Sequence, residues 1–239
     1  MNKKNDVTTI SGQQYQEVTA YDRLHMPRHT LDWSNVPRQI KSYPSLQKII
    51  LEPKVDLTGK SFWQVMEGTG SISPNVTLDI RTLSKILALA YGYTARQQAG
   101  GQTYLYRSVP SAGALYPVEI YVSGAGIPGL PPGLFHYDIQ AFALRKLRGE
   151  EASRPIAETL SVPKPENTWV SFIVSGIFFR RSWKYRKRAF RYVMLDTGHL
   201  VENLVSALAF AGLSCSVQYD FVDERLCTLV GLDRRKEAC

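Results

Sequence analysis

One apolar run in the first half of the chain repeats with the period of a helix. Within residues 78–93 the apolar positions lie three and four residues apart, at Ile80, Leu83, Ile86, Leu87 and Ala90. This spacing predicts an amphipathic helix with one face against a core. Thr77 or Asp79 is placed to cap its start, and Gly92 lies near its end.

A second helix, predicted over residues 192–211, is apolar on nearly every side. Its polar positions are few, and Gly212 stands where a C-terminal cap belongs. A helix of this kind must be covered on more than one side. A chain of 239 residues covers such a helix poorly by itself, so the pattern predicts a homodimer.

Alternating or continuous apolar positions predict the strands. One strand is expected over residues 118–123, and residues 134–138 and 142–147 are typical of a hairpin with its turn at 138–141. The strongly apolar run 169–179 is typical of a strand buried on both faces. Residues 214–221 alternate and predict a further strand.

The first quarter of the chain is more polar. Proline interrupts residues 1–60 at positions 27, 37, 44 and 53, which predicts an extended arm that wraps the body. Trp33, Tyr43 and the run 49–51 would anchor this arm, and a short helix is expected near 46–51. The remaining residues, 61–239, are expected to form one domain.

Composition excludes several protein classes. No apolar run approaches the roughly 20 residues that span a bilayer, and the first residues lack the apolar core of a signal peptide. Cys215, Cys227 and Cys239 are odd in number, and their spacing indicates neither a disulfide framework nor a zinc site. A cytoplasmic location is the simplest expectation.

The net charge of +8 comes almost entirely from one segment. Residues 180–191 hold seven basic and no acidic residues, and the rest of the chain carries only +1. Basic residues interleaved with aromatics suit single-stranded nucleic acid, a nucleotide-like cofactor or an acidic peptide. A solvated charged loop is the plainer interpretation. Within the segment, Lys184 and Tyr185 are candidates for a general base, because cationic neighbours ease deprotonation of an amine or a phenol.

Small residues form the loop before the strand at 118. Ser111, Ala112, Gly113 and Ala114 follow Pro110, and Pro117 ends the loop. A flat or anionic ligand could approach this backbone closely, and the prolines reduce the entropy lost on binding. The same residues are ordinary turn material, so a plain strand-entry turn is the alternative.

Other polar residues indicate no chemistry by themselves. Asp196, His199 and Asn203 share a face of the second helix, where a buried hydrogen-bond network or an interface is expected. The remaining histidines lack metal-ligand spacing. No glycine-rich dinucleotide or phosphate-loop signature occurs, and Gly68-Thr-Gly-Ser71 comes nearest to one.

Taken together, these residues resemble the nitroreductase superfamily. The blocks at 110–117, 184–185 and 191–204, with Ala211-Gly212-Leu213, match the family in order and spacing, and the likeness runs from about Tyr43 to the C-terminus. The most similar branch is that of the SagB/ThcOx-type dehydrogenases, which includes azoline oxidases of peptide natural-product pathways.

The resemblance implies an α+β fold with a central, mostly antiparallel sheet flanked by helices. It implies an obligate homodimer that buries the helix at 192–211 and holds FMN at its interface. Lys184 and Tyr185 match the pair that abstracts a proton when an azoline ring in a modified peptide is oxidised by hydride transfer to flavin. The implied cofactor-binding residues are Arg107, Pro110, Ser111, Ala112, Gly113 and Ala114.

The chain departs from the family pattern at two places. Relatives carry an arginine-rich segment before the first predicted helix that grips the FMN phosphate, whereas this chain has Gly68-Thr-Gly-Ser-Ile-Ser73 there. The family's last strand is also expected after Cys239, beyond the sequence given. Three hypotheses follow: an FMN-dependent oxidoreductase, a flavin-free scaffold or partner subunit, and a nucleic-acid-binding protein that uses residues 180–191.

Overall fold

The computed structural model describes residues 10–22, 24–26, 29–56, 61–68, 76–159 and 169–239. Its strands, in chain order, are β1 Lys48–Ile50, β2 Tyr93–Ala99, β3 Gln102–Arg107, β4 Val118–Ala125, β5 Gly133–Asp138, β6 Ala143–Arg148, β7 Trp169–Ile177 and β8 Glu237–Ala238. Its α-helices are α1 Gly12–Thr19, α2 Phe62–Glu67, α3 Ile80–Tyr91, α4 Glu150–Thr159, α5 Phe178–Tyr185, α6 Ala189–Phe210 and α7 Asp223–Val230.

Six of the strands form a central sheet in the order β1-β6-β5-β4-β7-β8, and every neighbouring pair is antiparallel. Strands β2 and β3 form a separate hairpin. Helices α3 and α6 pack on one face of the sheet, where Leu87, Ile120 and Leu200 meet in the larger core. Helices α4 and α7 cover the other face through Ile156 and Leu226. The expected α+β fold with a flanked antiparallel sheet is confirmed.

The strongest periodic signals correspond to real elements. Helix α3 begins after Asp79, whose side chain accepts a hydrogen bond of 2.8 Å from the Thr82 N–H, and Gly92 follows its last turn. Helix α6 occupies the place of the second predicted helix and begins three residues earlier. Strand β4 and the β5–β6 hairpin also lie where they were predicted.

Two predicted elements are wrong. The short helix expected near 46–51 is strand β1, because the β-branched residues Ile49 and Ile50 pair with Leu144 and Ala143 of β6. The strand expected over 214–221 is absent, and residues 214–220 are exposed without regular structure. Alternation alone does not make a strand when no neighbouring strand supplies hydrogen bonds.

Strand β7 is less buried than its apolar sequence predicts. Ile173, Ser175 and Gly176 are buried, but Val170 and Phe172 are only half-buried. Strand β8 pairs with Gly176 and Ile177 alone, so the rest of this edge has no partner strand among the described residues. The expectation of burial on both faces is therefore wrong.

Helix α1, the β2–β3 hairpin, α4 and α7 were not predicted, although the first two carry local signals. Ser11 and Gln14 form a reciprocal capping box at the start of α1. Gly100 and Gly101 close the hairpin with φ values of 58° and 75°, the left-handed pair that a two-residue hairpin turn needs. The arm is thus extended only in part.

No helix in the described part of the chain is long and apolar enough to cross a membrane.

Candidate active site

The small-residue loop between β3 and β4 is conformationally strained. Residues 112–114 form a 3₁₀ turn, and Gly113 has a φ of 66°. Ala114 and Tyr116 also adopt left-handed backbone, with φ values of 52° and 43°, at a cost of about 1–2 kcal/mol per non-glycine residue. Such strain persists where the surroundings impose it, and it concentrates at functional sites.

Arg181 of α5 binds this loop through hydrogen bonds. Its side chain is fully buried and donates hydrogen bonds to the Ala112 carbonyl, to the Ser111 hydroxyl and to the Asp196 carboxylate of α6. The Ser111 oxygen also accepts the Tyr116 N–H at 2.8 Å. Burial lowers the pKa of Arg181 to about 10, which leaves the guanidinium charged at neutral pH, where Asp196 balances it.

The structure brings Lys184 and Tyr185 onto this loop. A Cβ atom placed on Gly113 would lie 2.9 Å from Tyr185 Oη and 3.0 Å from Lys184 Nζ. Both groups therefore reach the exposed backbone of Gly113, although more than 70 residues separate them from it in sequence. The predicted catalytic pair and the predicted cofactor loop therefore lie together, and their roles stay predictions.

Tyr185 does not have the expected lowered pKa. Burial raises the pKa of its phenol above the ordinary value of 10.0, and the charge of Arg181 opposes this only in part. The ring also packs at 4.4 Å from that of Tyr192. The phenol is therefore protonated at neutral pH and suits hydrogen-bond donation, not the role of a base.

Arg107 lies beneath the loop and is buried. Its guanidinium stacks between the rings of Tyr91 and Tyr116, at 4.6 Å from each centroid, and donates to the Gln39 carbonyl at 3.1 Å. These contacts support the loop from the arm side. Direct contact between Arg107 and a cofactor stays a prediction.

The basic segment, residues 180–191, is helical, and most of its basic side chains contact other groups of the protein. Arg180 is buried and donates to the Arg38 and Tyr116 carbonyls and to Glu119. Of the seven basic residues, Arg186 and Lys187 are exposed. Because most of these charges have protein partners or lie at Gly113, little of the segment can bind the phosphates of a nucleic acid.

Glu119 links this segment to the sheet. It accepts hydrogen bonds from Arg180 Nη1 at 2.6 Å and from His136 Nε2 at 2.8 Å. Burial by itself would raise the pKa of Glu119, but the His136 hydrogen bond and the Arg180 charge outweigh it and hold the pKa below the ordinary value of 4.5. The folded protein therefore favours the ionised carboxylate.

Stability should fall with acidification through Glu119. Because its folded pKa lies below its unfolded pKa, its contribution is complete above 4.5 and is lost as the pH falls through the folded value. Urea unfolding of wild type and Glu119→Gln should differ by about 1.5–3 kcal/mol at neutral pH. That difference should narrow below pH 4.5; a constant difference would contradict the assignment.

The polar residues of α6 do not form the expected network. Asp196 pairs with Arg181, and Asn203 donates to the carbonyls of Ala90 and Ser108. His199 is exposed and hydrogen-bonds to the Leu195 carbonyl of its own helix at 2.8 Å. Among the residues that the structure describes, no group of histidines, cysteines and carboxylates could hold a metal ion.

Sequence reasoning did not identify Arg181, Asp196 or His29 as site residues. His29 Nε2 lies 2.8 Å from the Lys184 carbonyl. A weak signal for Arg181 was its place shortly after the apolar run at 169–179, since an arginine that is buried there needs a paired partner. No local pattern pointed to His29.

A six-stranded antiparallel sheet with helices on both faces, and a strained small-residue loop facing a Lys-Tyr pair, define an α+β protein of the nitroreductase-like class. The chain belongs to the nitroreductase family, whose model matches residues 73–239.

Comparison with individual proteins agrees with this assignment. The chain is 30% identical over 149 residues to nitroreductase MJ1384 of Methanocaldococcus jannaschii, covering 60% of this chain and 71% of that protein. It is 30% identical to the trifolitoxin-processing protein TfxB of Rhizobium leguminosarum bv. trifolii over 67% of this chain. It is 28% identical to the microcin B17-processing protein McbC of Escherichia coli, also over 67% of this chain. It spans 44% of TfxB and 59% of McbC.

Solved structures share the fold. A nitroreductase structure from Anabaena variabilis superposes with a TM-score of 0.75 at 31% identity, covering 95% of this chain and 44% of that one. A chain of the E. coli microcin synthetase McbBCD complex, solved with truncated pro-MccB17 bound, superposes with a TM-score of 0.54 at 20% identity. It covers 98% of this chain and 81% of that one.

The loop fits the ring of the FMN that the family generally uses. Gly113 is exposed in a left-handed conformation, and the space that its Cβ would take is filled by Lys184 and Tyr185, so the loop can present bare backbone to a flat group beside this pair. The phosphate end fits less well, since residues 68–73 contain no arginine. Of that segment, only Gly68 lies within the described residues.

Proposed function

We propose that this chain is an FMN-dependent oxidoreductase that oxidises a heterocycle in a modified peptide. The observation that carries the proposal is the position of Lys184 Nζ and Tyr185 Oη against the Gly113 backbone. The family assignment supports the redox class, and homology to TfxB and McbC, which are peptide-processing proteins, supports a peptide substrate.

In the proposed reaction, each group at the site has a separate role. FMN would rest on Pro110, Ser111, Ala112, Gly113 and Ala114, and when bound it would supply the hydride-accepting chemistry. Lys184 Nζ would take a proton from a ring carbon of the substrate. The protonated Tyr185 phenol would donate a hydrogen bond that orients the heterocycle, and the buried Arg181 would keep the loop in place.

Flavin binding is the first test. Incubation with FMN followed by gel filtration should yield protein that keeps a flavin visible spectrum. Gly113→Ala should weaken FMN binding about ten-fold or more, since one added methyl group is worth roughly 1–3 kcal/mol in a fitted pocket.

Gly100→Ala is the matched control for the flavin test. It carries the same kind of left-handed backbone penalty, with a φ of 58°, but its added Cβ would have no atom within 4 Å. It should therefore bind FMN like wild type. Wild-type protein that stays colourless after incubation would contradict the proposal.

A flavin-free partner subunit is the second candidate, favoured by the lack of arginine at residues 68–73. Each lost charge-assisted hydrogen bond to phosphate removes about 1.5–3 kcal/mol of binding energy. In that case wild type would retain no flavin after the same incubation and gel filtration.

We further propose that a second copy of the chain covers α6. Phe190, Met194 and Leu195 are 51%, 49% and 53% exposed. A groove of 1260 Å³ also runs between α6, β7 and residues 213–221 and has a mostly apolar lining. Exposed apolar surface on this scale is typical of an interface.

Light scattering should therefore report twice the chain mass of 26.9 kDa. Leu195→Glu should shift the protein to monomer, because a carboxylate is costly to bury in an apolar interface. Val18→Glu, on the exposed face of α1, is the control and should stay dimeric. A monomeric wild type would contradict this proposal.

A further inference from the structure

Residues 29–39, which we call the strap, contact both helix α5 and the small-residue loop between β3 and β4. At one end, His29 Nε2 contacts the Lys184 carbonyl at 2.8 Å, and the Asp32 carbonyl accepts the Trp183 indole N–H at 2.7 Å. The Trp33 ring also packs edge-on against that of Trp183, at 5.4 Å. Since a carbonyl only accepts, the His29 imidazole must carry its proton on Nε2.

At its other end the strap contacts the loop. The Gln39 side chain donates from Nε2 to the Ala114 carbonyl at 3.4 Å. The backbone carbonyl of Gln39 accepts a hydrogen bond from Arg107 at 3.1 Å. The Arg38 carbonyl accepts from Arg180 at 2.8 Å. One continuous segment therefore bonds to the backbone of α5 and to the backbone of the loop that α5 faces.

The backbone that the strap holds is strained. Arg186, directly after Tyr185, has a φ of 46° and a ψ of −124° at the end of α5. A non-glycine residue keeps such a conformation only where its surroundings over-determine it. His29 bonds on one side of Arg186, at Lys184. Tyr15 of α1 bonds on the other, donating to the Lys187 carbonyl at 2.9 Å and accepting the Arg191 N–H at 3.2 Å.

We propose that the strap is a positioning element for the reaction and that His29 is its principal positioning residue. By bonding the Lys184 carbonyl, His29 sets where the Lys184 amine and the Tyr185 phenol stand relative to Gly113. The role rests on the proposed function, because it concerns the pair assigned to proton transfer. His29 bonds the Lys184 backbone, and in this role it acts through Lys184.

The test compares three substitutions at exposed histidines. His29→Leu removes the donor, His29→Gln keeps an N–H donor on a side chain of similar length, and His25→Leu is the matched control. His25 is exposed and hydrogen-bonds to Asp22 within its own turn. Because both histidines are exposed, all three variants should fold like wild type.

The first readout needs neither flavin nor substrate. Amide hydrogen exchange over residues 183–188 should be about five-fold faster in His29→Leu, as expected for the loss of one hydrogen bond. His29→Gln and His25→Leu should exchange like wild type. Unchanged exchange in His29→Leu would overturn the proposal that the strap holds this turn.

The second readout is turnover of a synthetic thiazoline peptide by FMN-loaded protein. His29→Leu should lower kcat about ten-fold with KM changed by less than about two-fold, because a displaced catalytic group slows chemistry without weakening binding. His29→Gln should restore kcat. Faster exchange with unchanged kcat, while Lys184→Met is inactive, would overturn the positioning role alone. Turnover that is absent or independent of Lys184 would overturn the proposed function together with it.

Discussion

Asp196→Ala is expected to lower the free energy of unfolding by about 3–5 kcal/mol, because it leaves the buried charge of Arg181 without its partner. Arg181 is 0% exposed, so water cannot replace the lost carboxylate. The same guanidinium holds the Ser111 hydroxyl and the Ala112 carbonyl, so the loop should loosen as well. Urea unfolding followed by circular dichroism measures the effect.

Two controls separate burial from charge in that experiment. Glu224→Ala breaks the exposed contact to Arg234, an N–O distance of 3.8 Å, and should leave the unfolding midpoint nearly unchanged. The double variant Arg181→Met/Asp196→Leu removes both buried charges and should recover most of the stability lost by Asp196→Ala. A loss below about 1 kcal/mol in Asp196→Ala would show that the pair is not held as described.

Lys184→Met is expected to slow oxidation of a thiazoline peptide by about 10²- to 10⁴-fold, the usual contribution of a positioned acid or base. Tyr185→Phe should cost less, because a protonated phenol contributes one hydrogen bond and no proton abstraction. Single-turnover measurements under anaerobic conditions, followed at the flavin absorbance, give the rate of the chemical step.

Lys187→Met is the matched control for that series. Lys187 lies three residues from Lys184, carries the same charge and is exposed, so its loss tests whether the general basicity of the segment matters. It should react like wild type, and all three variants should keep their FMN. A Lys184→Met rate equal to that of Lys187→Met would remove Lys184 from the mechanism.

The sequence predicted which residues lie at the candidate site better than it predicted the surroundings of each residue in space. Lys184, Tyr185 and the loop at 110–114 were identified, and the structure places them together at Gly113. The protonation of Tyr185 was predicted in the wrong direction, because its neighbours in sequence are basic whereas its surroundings in space are desolvating. Net charge along a segment says little about which charges reach water.

Helices with several turns of periodic apolar residues were predicted correctly. Predictions failed where pairing with a neighbouring strand determines whether a segment is a strand. Helices α3 and α6 each present several turns of apolar residues, so their pattern was sufficient. Ile49 and Ile50 become a strand only because β6 lies beside them. Residues 214–220 alternate equally well but have no strand to pair with.

The amino-acid sequence by itself determined the small-residue loop and the Lys-Tyr pair, because each depends on residue type and local spacing. The family resemblance that these residues carry then implied the α+β class. Only the tertiary structure decided what holds them in place. The Arg181–Asp196 pair, the hydrogen bond from Arg107 to the Gln39 carbonyl and the contact from His29 to the Lys184 carbonyl join residues 15 to 155 positions apart. Such contacts depend on the packing of the strap, α5 and α6, which leaves no pattern in the local sequence.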